Sequence, residues 1–357
     1  MHKHQLDKAY DNVILHVVWD DDKPLLRNDG TIMPTLALKG KIDEALLKEY
    51  KRLVNSAFQI PCSKSFAKVN DLVKVSMIEQ AAHQRLYAKA KTISELYSSL
   101  KGDWEETFYQ VLAKNFGFKV NAEAFHSLSM VLPLKILRKA SGDLLKTEAM
   151  LFGVAGLLEE KNTNEYQQAL AKEFKYLNHK FELTEMKMHK AQWKFLRPRP
   201  ANFPTLRLAQ FAALLSRSQK MFNQVIELND VNTLKNFFAI KLSSYWQTHY
   251  AFNKPSKSGT HNLGEGSIEN IVINSVVPAL VAYSVEKDDA EYFHRAVNIL
   301  QALKPESNSI TKQWQSLGLK LTNAFDAQGL IEQMNSFCKR RNCLNCSVGA
   351  AILKPIA

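Results

Sequence analysis

The sequence predicts an α+β protein that is mostly helical and carries a short β segment at its N-terminal end. Residues 13–19 form an almost continuous apolar run, which is typical of a strand that is buried on both faces. From residue 41 onwards, apolar side chains recur every three or four positions, as they do in amphipathic helices. Hydrophobic residues make up 46% of the 357 residues and charged residues 23%. That composition supports a sizeable core and excludes wholesale disorder.

Residues 1–60 are predicted to form an N-terminal α/β segment. The acidic stretch 20–24 ends the first strand. Residues 32–38 are predicted to be a second short strand. Pro34 moves this strand towards a sheet edge, because proline has no N–H group to donate to a neighbouring strand. A helix is predicted over 41–54.

Residues 61–357 are predicted to form a mainly helical domain that ends in a cluster of cysteines. Asp103 and Glu106 have the spacing of a helix N-cap and its glutamate partner. The proline-rich stretch 196–204 and the Gly, Ser, Pro and Lys-rich stretch 253–266 are predicted loops. The predicted helices are 71–100, 103–117, 127–139, 144–158, 164–178, 205–228, 231–250, 267–283, 288–303, 310–319 and 324–337.

The basic charge is spread thinly except in one segment. Lys and Arg number 47 against 35 Asp and Glu, so the formal net charge is +12. Residues 187–207, the basic segment, contain six basic side chains and no acidic one. Such a patch attracts polyanions, nucleic acid among them. The alternative is that the basic character only keeps the protein in solution.

Four residues of the basic segment are candidates for binding phosphate or nucleic acid. A loop stiffened by three prolines presents two arginines, and a helix is predicted to begin near residue 205. Guanidinium groups beside a helix N-terminus are well suited to phosphate. The alternative is a structural loop whose arginines pair with carboxylates or cap helices. The candidates are Lys194, Arg197, Arg199 and Arg207.

The cysteines give the strongest chemical signal in the sequence. Cys338, Cys343 and Cys346 form a C-x4-C-x2-C pattern, and Cys62 is the remaining cysteine. Three near cysteines and one distant one are closer to ferredoxin-type iron–sulfur spacing than to a zinc ribbon, which prefers two C-x2-C pairs. The sequence therefore predicts a metal site of either kind. The alternative is four small buried side chains that pack around a C-terminal helix.

The residues around these cysteines should affect their acidity. Cys343 and Cys346 precede a short helix predicted over 347–353, and Lys339, Arg340 and Arg341 lie between the first two cysteines of the pattern. Positive charge and a helix N-terminus both favour the thiolate. We therefore expect lowered thiol pKa values.

The sequence predicts a cytoplasmic protein with no membrane partner. Residues 1–20 contain no signal-peptide pattern, and the longest apolar stretch, 271–283, is interrupted and too short to cross a bilayer. Disulfides are accordingly not expected. The sequence has no Walker A loop, GxSxG elbow, HExxH motif or Rossmann fingerprint. Whether the chain is an enzyme is therefore left open.

Several strings along the whole chain together resemble an uncharacterised bacterial family, known as domain of unknown function 2851. The strings are AYDNVILHVV at 9–18, IPC at 60–62, DWE at 103–105, NFG at 115–117, FG at 152–153, RPRPANFPT at 197–205 and CLNC at 343–346.

The resemblance implies a relation to nucleases. Members of the family carry an upstream Gly-Pro-Asp-Phe string followed by Glu-Ile-His, which is similar to the metal-binding core of the PD-(D/E)xK nuclease fold. This chain is expected to start after both strings, so residues 1–60 would be an incomplete domain. Residues 10–19 would then be a later core strand of that fold. None of the residues that this similarity would make catalytic maps onto this sequence. Certain iron–sulfur nucleases also combine one distant cysteine with three near the C-terminus. The similarity of this chain to those nucleases is an analogy only.

Two functions follow as hypotheses. The first is a nuclease-like, nucleic-acid-associated protein that lacks its catalytic motif in this chain. The second is a non-enzymatic helical scaffold or interaction protein with a structural metal site. Both include a metal at the cysteines, and they differ in whether nucleic acid is bound.

Overall fold

A computed structural model describes residues 7–140, 142–158, 164–196, 200–256 and 261–354. Most of these residues are helical and the strands are short, which confirms the predicted α+β, mostly α class. The chain divides into two compact units. Unit 1 comprises Met1–Ile78, Gln313–Leu319 and Ile331–Ala357, and unit 2 comprises Glu79–Lys312 and Lys320–Leu330. The C-terminal cysteine segment belongs to unit 1, and the predicted domain boundary after residue 60 stays a prediction.

The strands of unit 1 are shorter and more exposed than the sequence predicts. Strand β1 (His16–Val18) pairs in parallel with β2 (Thr35–Ala37). The prediction of a strand buried on both faces is wrong, since Ile14 is 83% exposed, and Val17 and Trp19 are each 52% exposed. A strand is buried on both faces only where layers of structure cover both. Among the described residues, these two strands form a sheet by themselves.

Helices supply the core of unit 1. The side chain of Asp43 caps the first of them by accepting a hydrogen bond from the Ala45 N–H at 2.8 Å. The rings of Phe66 and Trp314 pack with centroids 5.6 Å apart, and both side chains are almost completely buried. The helices with residues in this unit are α1 (Glu44–Val54), α2 (Ser63–Phe66), α3 (Asp71–Ser99), α16 (Ser309–Ser316), α17 (Ala324–Glu332), a π-helical turn (Gln333–Cys338) and α18 (Ser347–Leu353).

Unit 2 also includes parts of α3, α16 and α17, and is built around further helices and one small hairpin. The predicted cap of α4 is confirmed, because the Asp103 carboxylate accepts from the Glu106 N–H at 3.0 Å. The remaining helices are α4 (Trp104–Phe116), α5 (Ala122–Val131), α6 (Leu134–Leu137), α7 (Leu144–Val154), α8 (Glu165–Phe181), α9 (Pro204–Arg217), α10 (Met221–Glu227), α11 (Val231–Phe238), α12 (Ser244–Thr248), α13 (Glu265–Ile271), α14 (Val277–Lys287) and α15 (Ala290–Ala302). The hairpin pairs β3 (His249–Ala251) with β4 (Lys254–Pro255).

Aromatic side chains fill the core of unit 2. Phe152 on α7 stacks against Trp246 on α12, with ring centroids 5.2 Å apart. Helices α7 and α8 approach closely at Gly153, where a Cβ atom would lie 2.2 Å from the Phe174 ring. The helix pair therefore depends on a residue without a side chain at that position.

Helices α13 and α14 join through a second π-helical turn, Val272–Val276. Pro278 cannot donate to the carbonyl four residues earlier, which accounts for a local change of hydrogen-bond pattern here. By length and composition alone, Glu265–Lys287 could cross a membrane. Its most apolar window is 72% buried inside the fold, as in the core helix of a soluble protein.

Candidate functional site

All four cysteines lie in unit 1 and all are free, buried thiols. Cys62 immediately precedes α2, and Cys338 ends the π-helical turn Gln333–Cys338. Cys343 lies in the following turn, and Cys346 is the residue before α18. Each is at most 8% exposed. The fold thus brings the distant cysteine into the same compact unit as the three near ones.

The thiols are close enough to influence one another's ionisation. Burial, with smaller contributions from Cys346 and Cys343, raises the pKa of Cys62 to about 12. Burial likewise raises the pKa of Cys338, with Cys62 as the largest charged contributor. Burial also raises the pKa of Cys343. The protein itself therefore favours neutral thiols at these three positions.

The expected lowering of the thiol pKa values by the neighbouring basic residues is wrong for these three cysteines. Arg341 does lower the pKa of Cys343, but burial and Cys346 raise it by more. Lys339 is exposed and donates to the Asn335 side chain at 2.8 Å. The guanidinium of Arg341 donates hydrogen bonds to backbone carbonyls.

Arg341 ties the C-terminal cysteine segment to the chain that leads into Cys62. Its backbone is left-handed, with φ at +55°. Its Nη2 donates to the carbonyl of Ser56 at 2.8 Å, and its Nη1 donates to the carbonyl of Phe58 at 2.9 Å. These contacts fix two regions that are far apart in the sequence.

Two further contacts hold the thiols in place. Gln333, which is 2% exposed, donates from Nε2 to the sulfur of Cys346 at 3.1 Å. At Gly349 on α18, a Cβ atom would lie 2.1 Å from the Cys343 carbonyl oxygen. Only glycine permits this approach of α18 to the cysteine turn.

Within the described part of the chain, no group of three or more His, Cys, Asp and Glu side chains has the arrangement that holds a metal ion. The four cysteines are therefore neighbours in one unit without being arranged as a coordination shell. The sequence-based metal site stays a prediction. Rotation about χ1 would move each sulfur without moving the backbone.

The four predicted phosphate-binding residues do not form one described group. Lys194 is exposed, and the Asn121 side chain holds its backbone at both N–H and carbonyl, at 2.8 and 3.2 Å. Arg197 and Arg199 lie outside the described residues. Arg207 is 5% exposed, on α9. It therefore lies inside unit 2 and not on a surface that the basic segment presents.

The surroundings of Arg207 match neither a phosphate site nor the alternative in which the arginines pair with carboxylates or cap helices. Its Nη1 donates to Gln210 at 2.8 Å, and its Nη2 donates to Asn202 at 2.7 Å. The guanidinium carbon lies 3.7 Å from the centre of the Phe118 ring. Burial lowers the pKa of Arg207 to about 10, so the group stays positive at neutral pH. Among the described residues, it has no carboxylate partner within salt-bridge distance.

A cavity of about 440 Å³ lies beside the basic segment in unit 2. We call it the aromatic groove. Three phenylalanine rings and two lysines line it: Phe195, Phe203, Phe252, Lys190 and Lys254. Rings on which bases stack, beside lysines that attract phosphates, are the usual components of single-strand binding surfaces.

Sequence reasoning missed a buried carboxylate in the core of unit 2. Glu148 on α7 is completely buried and accepts hydrogen bonds from the Tyr166 and Ser243 hydroxyls. Burial raises its pKa to about 7, although both hydrogen bonds act in the opposite direction. The available signal was a lone acid among the apolar residues of α7. Such a group can hold or release a proton near neutral pH.

The fold and the cysteines define a mostly helical protein with four buried thiols in one unit. Residues 1–309 match a family described as "Protein of unknown function (DUF2851)". The match spans most of the chain, so the protein belongs to this family and the resemblance to it is confirmed. The matched region includes Cys62 and ends before Cys338. No curated protein and no solved structure matches the chain. Nothing in these comparisons supports the nuclease-like relationship or a missing N-terminal motif.

Proposed function

We propose that unit 1 binds a metal centre through its cysteines, and that this centre joins the two ends of the chain. The observation that carries the proposal is the burial, in one compact unit, of one cysteine from the N-terminal part of the chain and three from its C-terminal part. Scattered core cysteines have no reason to occupy one neighbourhood. The proposed ligands are Cys62, Cys338, Cys343 and Cys346.

The chemistry of the four thiols is compatible with this role. Metals bind thiolates, and metal binding releases the thiol protons. Burial, and to a smaller extent the neighbouring cysteines, raises the pKa values of Cys62 and Cys338, so forming buried thiolates there is costly. A bound cation would offset this cost. The backbone ties at Arg341 and Gly349 would hold the cysteines in position while their side chains rotate.

Both an iron–sulfur cluster and zinc remain open as the centre, and one experiment separates them. The full chain is purified without oxygen and analysed for iron, sulfide and zinc, together with its visible absorption. A brown protein with iron and sulfide indicates a cluster. A colourless protein with about one zinc per chain indicates a zinc site. A folded protein that is metal-free, and stays so after incubation with zinc or with iron and sulfide under reducing conditions, contradicts the proposal.

A second candidate function, association with nucleic acid, is favoured by the aromatic groove and by the exposed lysines of the basic segment. Lys187, Lys190 and Lys194 are all exposed. The nuclease-like relation stays part of this proposal by analogy only, and no catalytic step is assigned because the sequence contains no complete catalytic motif. The proposed location is the cytoplasm, where thiols are kept reduced.

We expect the protein to bind a fluorescent single-stranded 20-nucleotide DNA at low salt, with affinity that falls steeply as salt is added. Phosphate contacts release counterions, so replacing Lys254 by glutamate should weaken binding and make the slope of log K against log salt shallower by about one. Fluorescence anisotropy measures both quantities. Lys172→Glu, an equal charge change at an exposed position on α8, is the matched control. Absence of binding at low salt would exclude this function.

A further inference from the structure

A second cavity in unit 2, of about 560 Å³, has a composition that none of the proposed functions explains. We call it the lysine cavity. It is lined by residues of α3, α4, the turn after α4, the start of α5, α13, the π-helical turn Val272–Val276 and the start of α14. Its polar lining consists chiefly of three lysines and three asparagines: Lys89, Lys114, Lys119, Asn115, Asn270 and Asn274.

The three lysines differ in their surroundings. Lys89 donates from Nζ to the side-chain oxygens of Asn274 at 2.8 Å and Gln328 at 3.4 Å, among its contacts. Lys114 lies 3.5 Å from the carboxylate of Glu123, which is 82% exposed. Lys119 is exposed at the edge of the cavity. Among the described residues that line the cavity, none is acidic.

Arg207 adds a fourth positive charge behind the cavity wall. Phe118 is part of that wall, and the Arg207 guanidinium lies against its ring at 3.7 Å. Since neutral groups alone solvate this arginine among the described residues, its charge contributes to the local potential. A low-dielectric surrounding strengthens that field. The cavity is therefore an electropositive region with one aromatic side.

The backbone at two edges of the cavity is held in unusual conformations. Phe118 and Lys119 have φ angles of +41° and +69°, which are costly for residues with a side chain. The turn can form because Gly117 packs on the backbone of Ala122, where a Cβ atom would be 2.3 Å from the nitrogen. On another side, Asn274 belongs to a π-helical turn. Strained backbone conformations and π-helical turns are both frequent at functional sites in proteins.

We propose that the lysine cavity binds a small phosphorylated ligand of about nucleotide size. The lysines would hold the phosphate, the asparagine amides would bond polar groups of the ligand, and Phe118 with its apolar neighbours would contact an aromatic or aliphatic body. The volume is within the range of small-molecule sites. The proposal is independent of the metal centre and of the aromatic groove, because it uses none of their residues.

The test is calorimetric titration of the full chain with ADP, pyrophosphate and adenosine. ADP should bind, pyrophosphate should compete with it, and adenosine should bind at least about tenfold more weakly, since it has no phosphate for the lysines. Lys119→Glu should weaken ADP binding by at least about tenfold, because it reverses one charge at the cavity edge. Lys91→Glu, an exposed position on α3 outside the cavity lining, should change it less than about twofold by the same reasoning.

Any of three results would overturn the proposal. The first is that millimolar ADP or pyrophosphate gives neither heat of binding nor a rise in Tm. The second is that adenosine and ADP bind with equal affinity, and the third is that Lys119→Glu and Lys91→Glu weaken ADP binding equally. Binding of the 20-nucleotide DNA that is lost in Lys119→Glu, without any binding of ADP, would also overturn it in favour of nucleic acid. Unchanged Tm values of both variants without ligand verify that the fold is intact. Loss of the metal centre alone leaves the ADP result unaffected, so the two proposals fail separately.

Discussion

Replacing Cys62 by alanine should abolish metal binding and destabilise unit 1. In the proposed metal centre, Cys62 is the one ligand that comes from outside the C-terminal cysteine pattern. The binding free energy of a structural metal is on the order of 10 kcal/mol and counts as folding free energy. Loss of one of four ligands should therefore lower the free energy of unfolding by several kcal/mol. Metal analysis and thermal unfolding of the variant measure the two effects.

A chelator provides the control for this variant. Wild-type protein treated with a chelator should unfold at about the same temperature as Cys62→Ala, and the chelator should leave the variant unchanged. If the cysteines only pack, alanine removes little more than one buried sulfur and should cost about 1 kcal/mol. A small loss of stability together with an unchanged response to chelator would be incompatible with the metal centre.

Replacing Glu148 by glutamine should remove a pH dependence of stability from unit 2. The pKa of Glu148 is about 7 in the folded protein against an ordinary value of 4.5. Folding therefore favours the protonated acid. The stability that this residue contributes is fully present below pH 4.5 and is lost as the pH rises through 7. The difference amounts to about 3 kcal/mol, from 1.36 kcal/mol for each pKa unit. Above pH 7, glutamine should be the more stable side chain.

Urea unfolding of both proteins at pH 5, 6 and 7.5 tests this expectation. Burial lowers the pKa of His126 and His261, which gives the opposite slope in both proteins, so the difference between wild type and variant isolates Glu148. Glu286→Gln, at an exposed position on α14, should follow the wild-type profile. Identical pH profiles for wild type and Glu148→Gln would show that the carboxylate does not titrate in this range.

Most of the helical part of the fold was predictable because its signals are local, although the predicted helices 205–228 and 231–250 are each divided into two shorter helices. Apolar spacing and capping side chains such as Asp103 depend on residues within one or two turns of each other. The exposure of β1 was not predictable, because it depends on which elements cover the strand. An apolar run looks the same in the sequence whether or not a second layer is present.

The candidate sites also have parts that local sequence signals predict and parts that depend on the fold. Three cysteines within nine residues predicted the C-terminal group, and elimination supplied Cys62, but the raised thiol pKa values depend on burial that the sequence does not encode locally. Arg207 is predicted to bind phosphate because its guanidinium lies near a predicted helix N-terminus. It stands between Leu206 and Leu208 in a helix that is apolar on most sides, which is the pattern of a buried helix. The lysine cavity joins residues from separate elements and leaves no sequence motif.

The burial of Cys62 and Cys338 affects how readily the protein is oxidised. Alkylating reagents and peroxide attack thiolates. Because the raised pKa values keep these thiols protonated at neutral pH, we expect the folded chain without bound metal to react slowly at both positions. This protection is lost when unit 1 unfolds locally and exposes the thiols. The extent of oxidation at these sulfurs therefore reflects how often that unfolding occurs.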